Sequence, residues 1–211
     1  MKRGIKSLLL LLAMCCISAV SYAQDEAQQR EIIGKINKAA AEMRSMESDF
    51  IQTKHISLMN ERMVSEGRMV YSQGNKLRWE YVSPYKYTFI LNGSSVTLKS
   101  EKRTDVIDIE SNKIFQEIAR IMMNSVTGKS LSDASDFKVS ISDRGPEWIA
   151  DLTPQKKEMK QMFKSVVLHF DKSAGVVKMI ELLEKSGDKT VIELKNIKKN
   201  VTTDEKAFVV D

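Results

Sequence analysis

Apolar and polar residues alternate from Arg62 to Leu98 with the period of two that is typical of half-buried strands. The turn Gln73-Gly74-Asn75 separates the first two strands, a third strand from Lys86 to Leu91 follows Ser83-Pro84, and Asn92-Gly93 forms a hairpin turn into a fourth. Large apolar side chains collect on one face of these strands: Met69, Tyr71, Leu77, Trp79, Tyr81, Phe89 and Leu91. The pattern predicts four sequential antiparallel strands with an apolar face that the rest of the chain must cover.

Further strands are predicted on both sides of this stretch. The first covers Ser48 to Ser57 and includes Phe50. The strand Val176 to Glu184 is apolar on both of its faces, so the protein must cover both faces, or one face must bind a ligand or partner. The others are Thr104 to Ile109, Asp136 to Ser142, Glu147 to Leu152, Val166 to Phe170 and Thr190 to Ile197. Ten or eleven antiparallel strands in one domain normally curl, so we expect a strongly curved sheet or an incomplete β-barrel.

Two segments have helical spacing of their apolar residues instead. Glu31 to Met46 carries a thin stripe that includes Ile32, Ile36 and Met43, which suits either a fixed packing helix or one that detaches easily. Ser111 to Gly128 carries a broader stripe, formed by Ile114, Phe115, Ile118, Ile121, Met122 and Val126. The predicted fold is therefore mainly β, with these helices lying across the concave face of the sheet.

The first 23 residues have the pattern of a secretory signal peptide. An apolar run from Leu8 to Ile17 is followed by the small-residue cleavage site Ser21-Tyr22-Ala23. The basic residues that precede the run are Lys2, Arg3 and Lys6. A lipoprotein-type signal is the alternative, but Met14 stands where lipidation of Cys15 would require a small residue. We expect cleavage after about Ala23 and a single exported domain over residues 24–211.

Removal of this segment changes what the composition implies. The chain has 33 basic and 28 acidic residues, and the loss of three basic residues lowers the net charge from +5 to +2, which removes the main argument for nucleic-acid binding. Cys15 and Cys16 also leave, so the remaining residues contain no disulfide and must be stabilised by a packed core.

The remaining chain has few groups suited to catalysis. His55 and His169 stand alone in predicted strands, without further metal-ligating residues at ligand spacing. The sequence contains no glycine-rich phosphate loop and no nucleophile motif. We therefore expect no catalytic site, no bound metal and no cofactor.

Methionine is frequent for a chain of this size. Of the 12 methionines, only Met1 and Met14 lie in the signal segment. Methionine side chains are flexible, so they either fill an irregular curved core or line a surface that accommodates variable apolar ligands. The composition leaves both interpretations open.

The order of several short motifs resembles that of the LolA-type periplasmic carriers of outer-membrane lipoproteins. The recognisable block runs from Glu66-Gly67 through Lys76 to Pro84. The other matching segments are Phe50-Ile51-Gln52, Asn92-Gly93, Leu152-Thr153-Pro154, Phe163, Val166 to Asp171, Gly175 to Gly187, Thr190 to Asn196 and Phe208. Each motif is weak alone, and it is their shared order over nearly the whole exported chain that makes the resemblance specific.

This resemblance implies an open barrel whose hydrophobic cavity holds lipoprotein acyl chains under a lid of helices. The implied cavity residues are Phe50, Met69, Tyr71, Leu77, Trp79, Tyr81, Phe89 and Leu91, and the implied lid residues are Ile32, Ile36, Met43, Ile114, Ile118, Ile121 and Met122. The implied partners are acylated lipoproteins, an inner-membrane ABC transporter that supplies them and an outer-membrane acceptor. We expect a periplasmic monomer.

One turn departs from the family pattern. Many members carry a basic residue followed by proline in the turn before the second strand of the block, and that residue helps to hold the lid closed. This chain has Gln73-Gly74 instead, so the resemblance assigns no latch residue. Arg68 and Arg78 lie nearby but alternate with the apolar positions, and we expect both to face solvent.

Two other functions remain open. The first is a periplasmic sensor or regulatory module on the same lipid-binding scaffold. The second is a secreted enzyme that uses an exposed aspartate or histidine, which would require a cavity lined by charged rather than apolar side chains.

Overall fold

A computed structural model describes residues 26–110 and 137–210, and between them residues 119–120, 122–124, 126–127 and 131. Its strands are β1 (Ser45–Ile56), β2 (Glu61–Ser72), β3 (Lys76–Ser83), β4 (Tyr87–Asn92), β5 (Ser95–Ser100), β6 (Thr104–Asp108), β7 (Phe137–Arg144), β8 (Glu147–Pro154), β9 (Phe163–Asp171), β10 (Val176–Glu184) and β11 (Lys189–Lys199). A short helix, Lys157–Met162, lies between β8 and β9.

All eleven strands belong to one antiparallel sheet in the order β6-β5-β4-β3-β2-β1-β11-β10-β9-β8-β7. Strands β1 to β6 pair in sequence order, and so do β7 to β11. In addition β1 pairs with β11, which joins these two groups into one sheet. Within the described residues β6 and β7 do not pair, so the sheet is not closed. The predicted mainly β fold with ten or eleven strands in one curved, incomplete sheet is confirmed.

A helix over residues 26–42 packs on one face of this sheet, which we call the inner face. Ile32, Ile36 and Met43 are buried there in the same cluster as the inward side chains of the strands. At one end of the helix, the Gln29 side chain accepts a hydrogen bond from the backbone N–H of Ile141 in the edge strand β7 (3.3 Å). Near its other end, Ala39 lies against the turn before β10.

The helix ends earlier than the apolar spacing predicts. Met46 continues the helical stripe in the sequence, but it is a buried residue of β1 and pairs with Tyr71 of β2. The Arg44 N–H donates to the Asn200 side chain (2.8 Å), and the Ser45 hydroxyl donates to the Val201 carbonyl (2.5 Å). These tertiary hydrogen bonds extend the strand, so they override the local helical pattern.

The second predicted helix is only partly described. Residues 119–120, 122–124 and 126–127 are helical, with Ala119 and Val126 buried and Met122 partly buried against the inner-face cluster. Ile114, Ile118 and Ile121 lie outside the described residues. No helix in the described part of the chain is both long and apolar enough to span a membrane.

The opposite, outer face of β3 and β4 is covered by the C-terminal segment. The 3-10 turn Glu205–Phe208 buries the Phe208 ring, and Lys76 forms an ion pair with Glu205. Arg78 donates to the Ala207 carbonyl (3.2 Å). Arg78 therefore faces away from the inner face, as the alternation predicts, but it is half-buried rather than solvated.

Candidate functional site

The eight predicted cavity residues all lie on the inner face. The register of β2, β3 and β4 aligns Met69 with Trp79 and Phe89 in one row, and Tyr71 with Leu77 and Leu91 in the next. Phe50 of β1 and Tyr81 of β3 extend this surface. Seven of the eight are buried in one apolar cluster, and Tyr81 is partly buried against it.

An aromatic group forms the centre of this half of the inner face. The Phe50 ring stacks on Trp79 with centroids 4.4 Å apart and meets Tyr81 edge-on at 5.2 Å. Gly67 is the cross-strand partner of Phe50, and a Cβ atom there would lie 2.1 Å from the Glu80 carbonyl oxygen and 2.4 Å from the Phe50 ring. The missing side chain of Gly67 therefore makes the space in which the Phe50 ring lies.

The polar groups that the described residues contribute to this surface are uncharged. The Tyr81 hydroxyl hydrogen-bonds to the Gln52 side chain (2.9 Å), and burial raises the pKa of both Tyr81 and Tyr71. The Trp79 indole N–H is buried and finds no acceptor among the described residues. A surface with this chemistry is suited to apolar ligands, because the described residues that form it offer ionic groups no partner.

A second apolar half of the inner face was not identified from the sequence. It is formed by β7, β8 and β9 through Phe137, Ile141, Trp148, Ala150, Leu152, Val166, Leu168 and Phe170, which belong to the same cluster as the aromatic group. The alternation of Trp148, Ala150 and Leu152 is the signal that could have identified it, since it places three apolar side chains on one face of a strand. The inner face therefore extends across both halves of the sheet beneath the helix.

The predicted lid residues that are described cover this surface. Ile32, Ile36 and Met43 of the helix region are buried against it, and Met122 is partly buried. The Gln73 side-chain amide donates to the Met43 carbonyl (3.2 Å), and its backbone N–H donates to the Arg44 carbonyl (2.8 Å). The turn that lacks the basic residue of the resembled family thus still contacts the end of the helix, through a neutral side chain.

A cluster of charged side chains surrounds the buried His169 on the outer face. The two ring nitrogens of His169 lie 3.0 Å from a Glu147 carboxylate oxygen and 3.1 Å from one of Glu181. Lys178 pairs with Glu147 (2.6 Å) and Lys189 with Glu181 (2.5 Å). The described residues contain no group of three histidine, cysteine or acidic side chains arranged to hold a metal ion. The His169 cluster joins β8, β9 and β10 and has no access to the inner face.

Comparison with known proteins agrees with this geometry. A family model described as "Outer membrane lipoprotein carrier protein LolA" matches residues 41–211. No curated protein sequence is significantly similar to the chain.

Solved structures with TM-scores above 0.5 share the fold at low sequence identity. An uncharacterized conserved protein from Thermus thermophilus is 12% identical, with a TM-score of 0.53 over 85% of this chain and 91% of its own. A chain in the complex of Pseudomonas aeruginosa MucA and MucB is 10% identical, with a TM-score of 0.51 over 87% of this chain and 61% of that chain. A LolA superfamily protein from Nitrosomonas europaea is 10% identical, with a TM-score of 0.45 over 86% of this chain and 97% of its own.

Proposed function

Because the chain belongs to the LolA family of outer membrane lipoprotein carrier proteins, we propose that it binds the acyl chains of lipoproteins on its inner face and carries them across the periplasm. The observation that supports this most is the single apolar cluster, uncharged in its described part, between the helix and both halves of the sheet. Signal cleavage after about Ala23 and a single domain over residues 24–211 are part of the proposal, and so is a binding rather than a catalytic role.

The energetics of the cargo require a shielded surface. Each methylene group that leaves water is worth about 0.8 kcal/mol, so a chain of membrane-lipid length cannot cross an aqueous compartment unshielded. The uncharged inner face supplies that shielding. The side chains of Ile32, Ile36 and Met43 occupy the space above it, so acyl chains enter only when the helix moves away.

The contacts of the helix suit such a movement. Its buried side chains are few and include Ala40, and its polar attachments to the sheet include hydrogen bonds of Gln29 and Gln73. A helix held mainly by a thin apolar stripe can be displaced by a ligand that buries more apolar area.

The direct test is release of lipoproteins from the inner membrane. Spheroplasts of a bacterium that makes triacylated lipoproteins are incubated with the processed protein, and the supernatant is analysed for soluble complexes. We expect acylated lipoproteins to co-purify with the protein. A supernatant that holds no more lipoprotein than one treated with an unrelated periplasmic protein would contradict the proposal. The donor is proposed to be an inner-membrane ABC transporter, and the recipient an outer-membrane acceptor.

A regulatory lipid-binding module is the second candidate. The fold similarity to the MucA and MucB complex favours it, because that structure contains the shared scaffold bound to another protein. Adding outer-membrane vesicles to the loaded protein separates the two functions. A carrier transfers its lipoprotein to the vesicles, whereas a sensor retains it.

A further inference from the structure

Exposed large apolar side chains are concentrated at one end of the sheet. Among the described residues, nine such side chains are exposed, and seven of them lie in or beside the β1–β2 and β3–β4 turns: Leu58, Met59, Met63, Val64, Val82, Tyr85 and Tyr87. Leu58 is 96% exposed and Tyr85 is 76% exposed. Isolated exposed apolar residues are normal on a protein surface, but a group of seven at one end indicates an interaction site.

The strand order explains why these turns lie together. β1 to β6 are consecutive antiparallel neighbours, so the turns after β1, β3 and β5 project from the same end of the sheet. We call this end, formed by residues 57–64, 82–87 and 101–103, the hairpin end. Its apolar side chains lie on two separate turns rather than on one flat face.

Basic residues surround these apolar side chains. The hairpin end contains four basic residues, Arg62, Lys86, Lys102 and Arg103, and two acidic ones, Glu61 and Glu101. Arg103 pairs with Asp105 (2.7 Å), but no described residue forms an ion pair with Arg62, Lys86 or Lys102. Three exposed cations are therefore available to an anionic partner.

We propose that the hairpin end docks on an anionic phospholipid surface. Separate protruding turns with leucine, methionine and tyrosine tips can each insert shallowly below the headgroups, while the flanking lysine and arginine side chains remain at the phosphate level. Tyrosine suits this interfacial position because its ring is apolar and its hydroxyl is polar. Each basic side chain near such a surface increases partitioning by about fivefold.

This inference goes beyond the carrier role. A carrier must bind acyl chains, but it need not touch a bilayer, since donor and acceptor proteins could mediate each transfer. Docking of the hairpin end would bring the whole carrier to the membrane surface. The test therefore uses protein without cargo, so that its result is independent of lipoprotein binding.

The experiment measures flotation of the processed protein with lipid vesicles. Vesicles of phosphatidylethanolamine and phosphatidylglycerol in a 3:1 ratio serve as the probe, set up at about 50 mM and again at about 500 mM salt, because added salt screens the attraction between surface charges. We expect binding at low salt that falls severalfold at high salt, and only weak binding to pure phosphatidylcholine vesicles. The double variant Leu58→Ser/Tyr85→Ser should bind on the order of tenfold less tightly, because its apolar tips are lost. The matched control Val106→Ser, which alters an exposed apolar residue of the edge strand β6, should bind as the unaltered protein does.

Three results would overturn the proposal. They are no flotation of the unaltered protein, equal flotation of the Leu58→Ser/Tyr85→Ser variant, and equal binding to neutral and anionic vesicles. If the hairpin end binds a protein partner or a second copy of the chain instead, the unaltered protein will not float with the vesicles. A second copy would also give a concentration-dependent dimer that the double variant abolishes. Circular dichroism of the double variant checks that its fold is intact, which is expected because both side chains are exposed.

Discussion

Gly67→Ala tests whether the aromatic group of the inner face depends on close packing between β1 and β2. A Cβ atom at this position would lie 2.1 Å from the Glu80 carbonyl oxygen and 2.4 Å from the Phe50 ring. Both distances are far below van der Waals contact, and one neighbour is backbone, so the Phe50 ring and the strand must shift. Overpacking of this kind typically costs about 1–3 kcal/mol.

Urea denaturation of the purified protein measures this cost. We expect Gly67→Ala to lower the free energy of unfolding by about 1–3 kcal/mol. Gly34→Ala is the matched control, because Gly34 lies on the exposed side of the helix, and a Cβ atom there would meet no other atom within 4 Å. Replacing this helical glycine should stabilise the protein by up to about 1 kcal/mol.

A double variant shows whether the effect passes through the Phe50 ring. Phe50→Leu removes the ring that the new methyl group would strike. The cost of Gly67→Ala should therefore be smaller in that background than in the unaltered protein, with a coupling of about 0.5 kcal/mol or more. Equal stability of Gly67→Ala and the unaltered protein, or fully additive effects, would refute the packing argument.

Three further predictions concern the site and the outer face. Trp79→Glu should lower the affinity for a triacylated peptide at least about tenfold in a binding titration, because it places a carboxylate in the apolar cluster. Arg68→Glu on the outer face should leave this affinity unchanged. Equal losses of affinity would contradict the assignment of the acyl-chain site to the inner face. Gln73→Ala should speed hydrogen exchange of helix residues 26–42 by about fivefold, because it removes a hydrogen bond worth about 1 kcal/mol, and unchanged protection would exclude this contact as a restraint. The Lys178 ammonium and His169 hold the pKa of Glu147 below its ordinary value of 4.5, so this carboxylate stabilises the fold above pH 4.5 and loses that contribution as the pH falls through its folded pKa. Lys178→Met should make the acid-induced loss of stability, followed by urea midpoints from pH 6 to pH 3, shallower.

The sequence predicted the aromatic half of the site better than the other half. In β2, β3 and β4 the alternation is regular and several of the large residues are aromatic, so the pattern alone places Trp79 and Phe89 on one face, where they lie. The inward residues of β8 and β9 alternate as well, but they are separated from that block by a long stretch of chain. Only the pairing of β1 with β11 brings the two halves of the sheet together, and such long-range pairing leaves no local pattern.

Tertiary contacts account for the other differences. Met46 fits a helical stripe, but hydrogen bonds of Arg44 and Ser45 with the segment after β11 place it in a strand. The sequence around Phe208 does not indicate that this residue covers the outer face, because its burial depends on how the chain folds back over the sheet after β11. The prediction that Arg78 faces solvent was incomplete for the same reason.

Contact between the acyl chains and the inner face is the central claim, and the two tryptophans of the chain test it most directly. Trp79 and Trp148 lie on opposite halves of the inner face, and both are buried. A triacylated peptide with brominated acyl chains quenches tryptophan fluorescence only at short range. We predict saturable quenching of both tryptophans by the brominated peptide and little change with its unbrominated form. Binding of the brominated peptide without quenching would contradict the claim, because the acyl chains would then lie elsewhere on the protein.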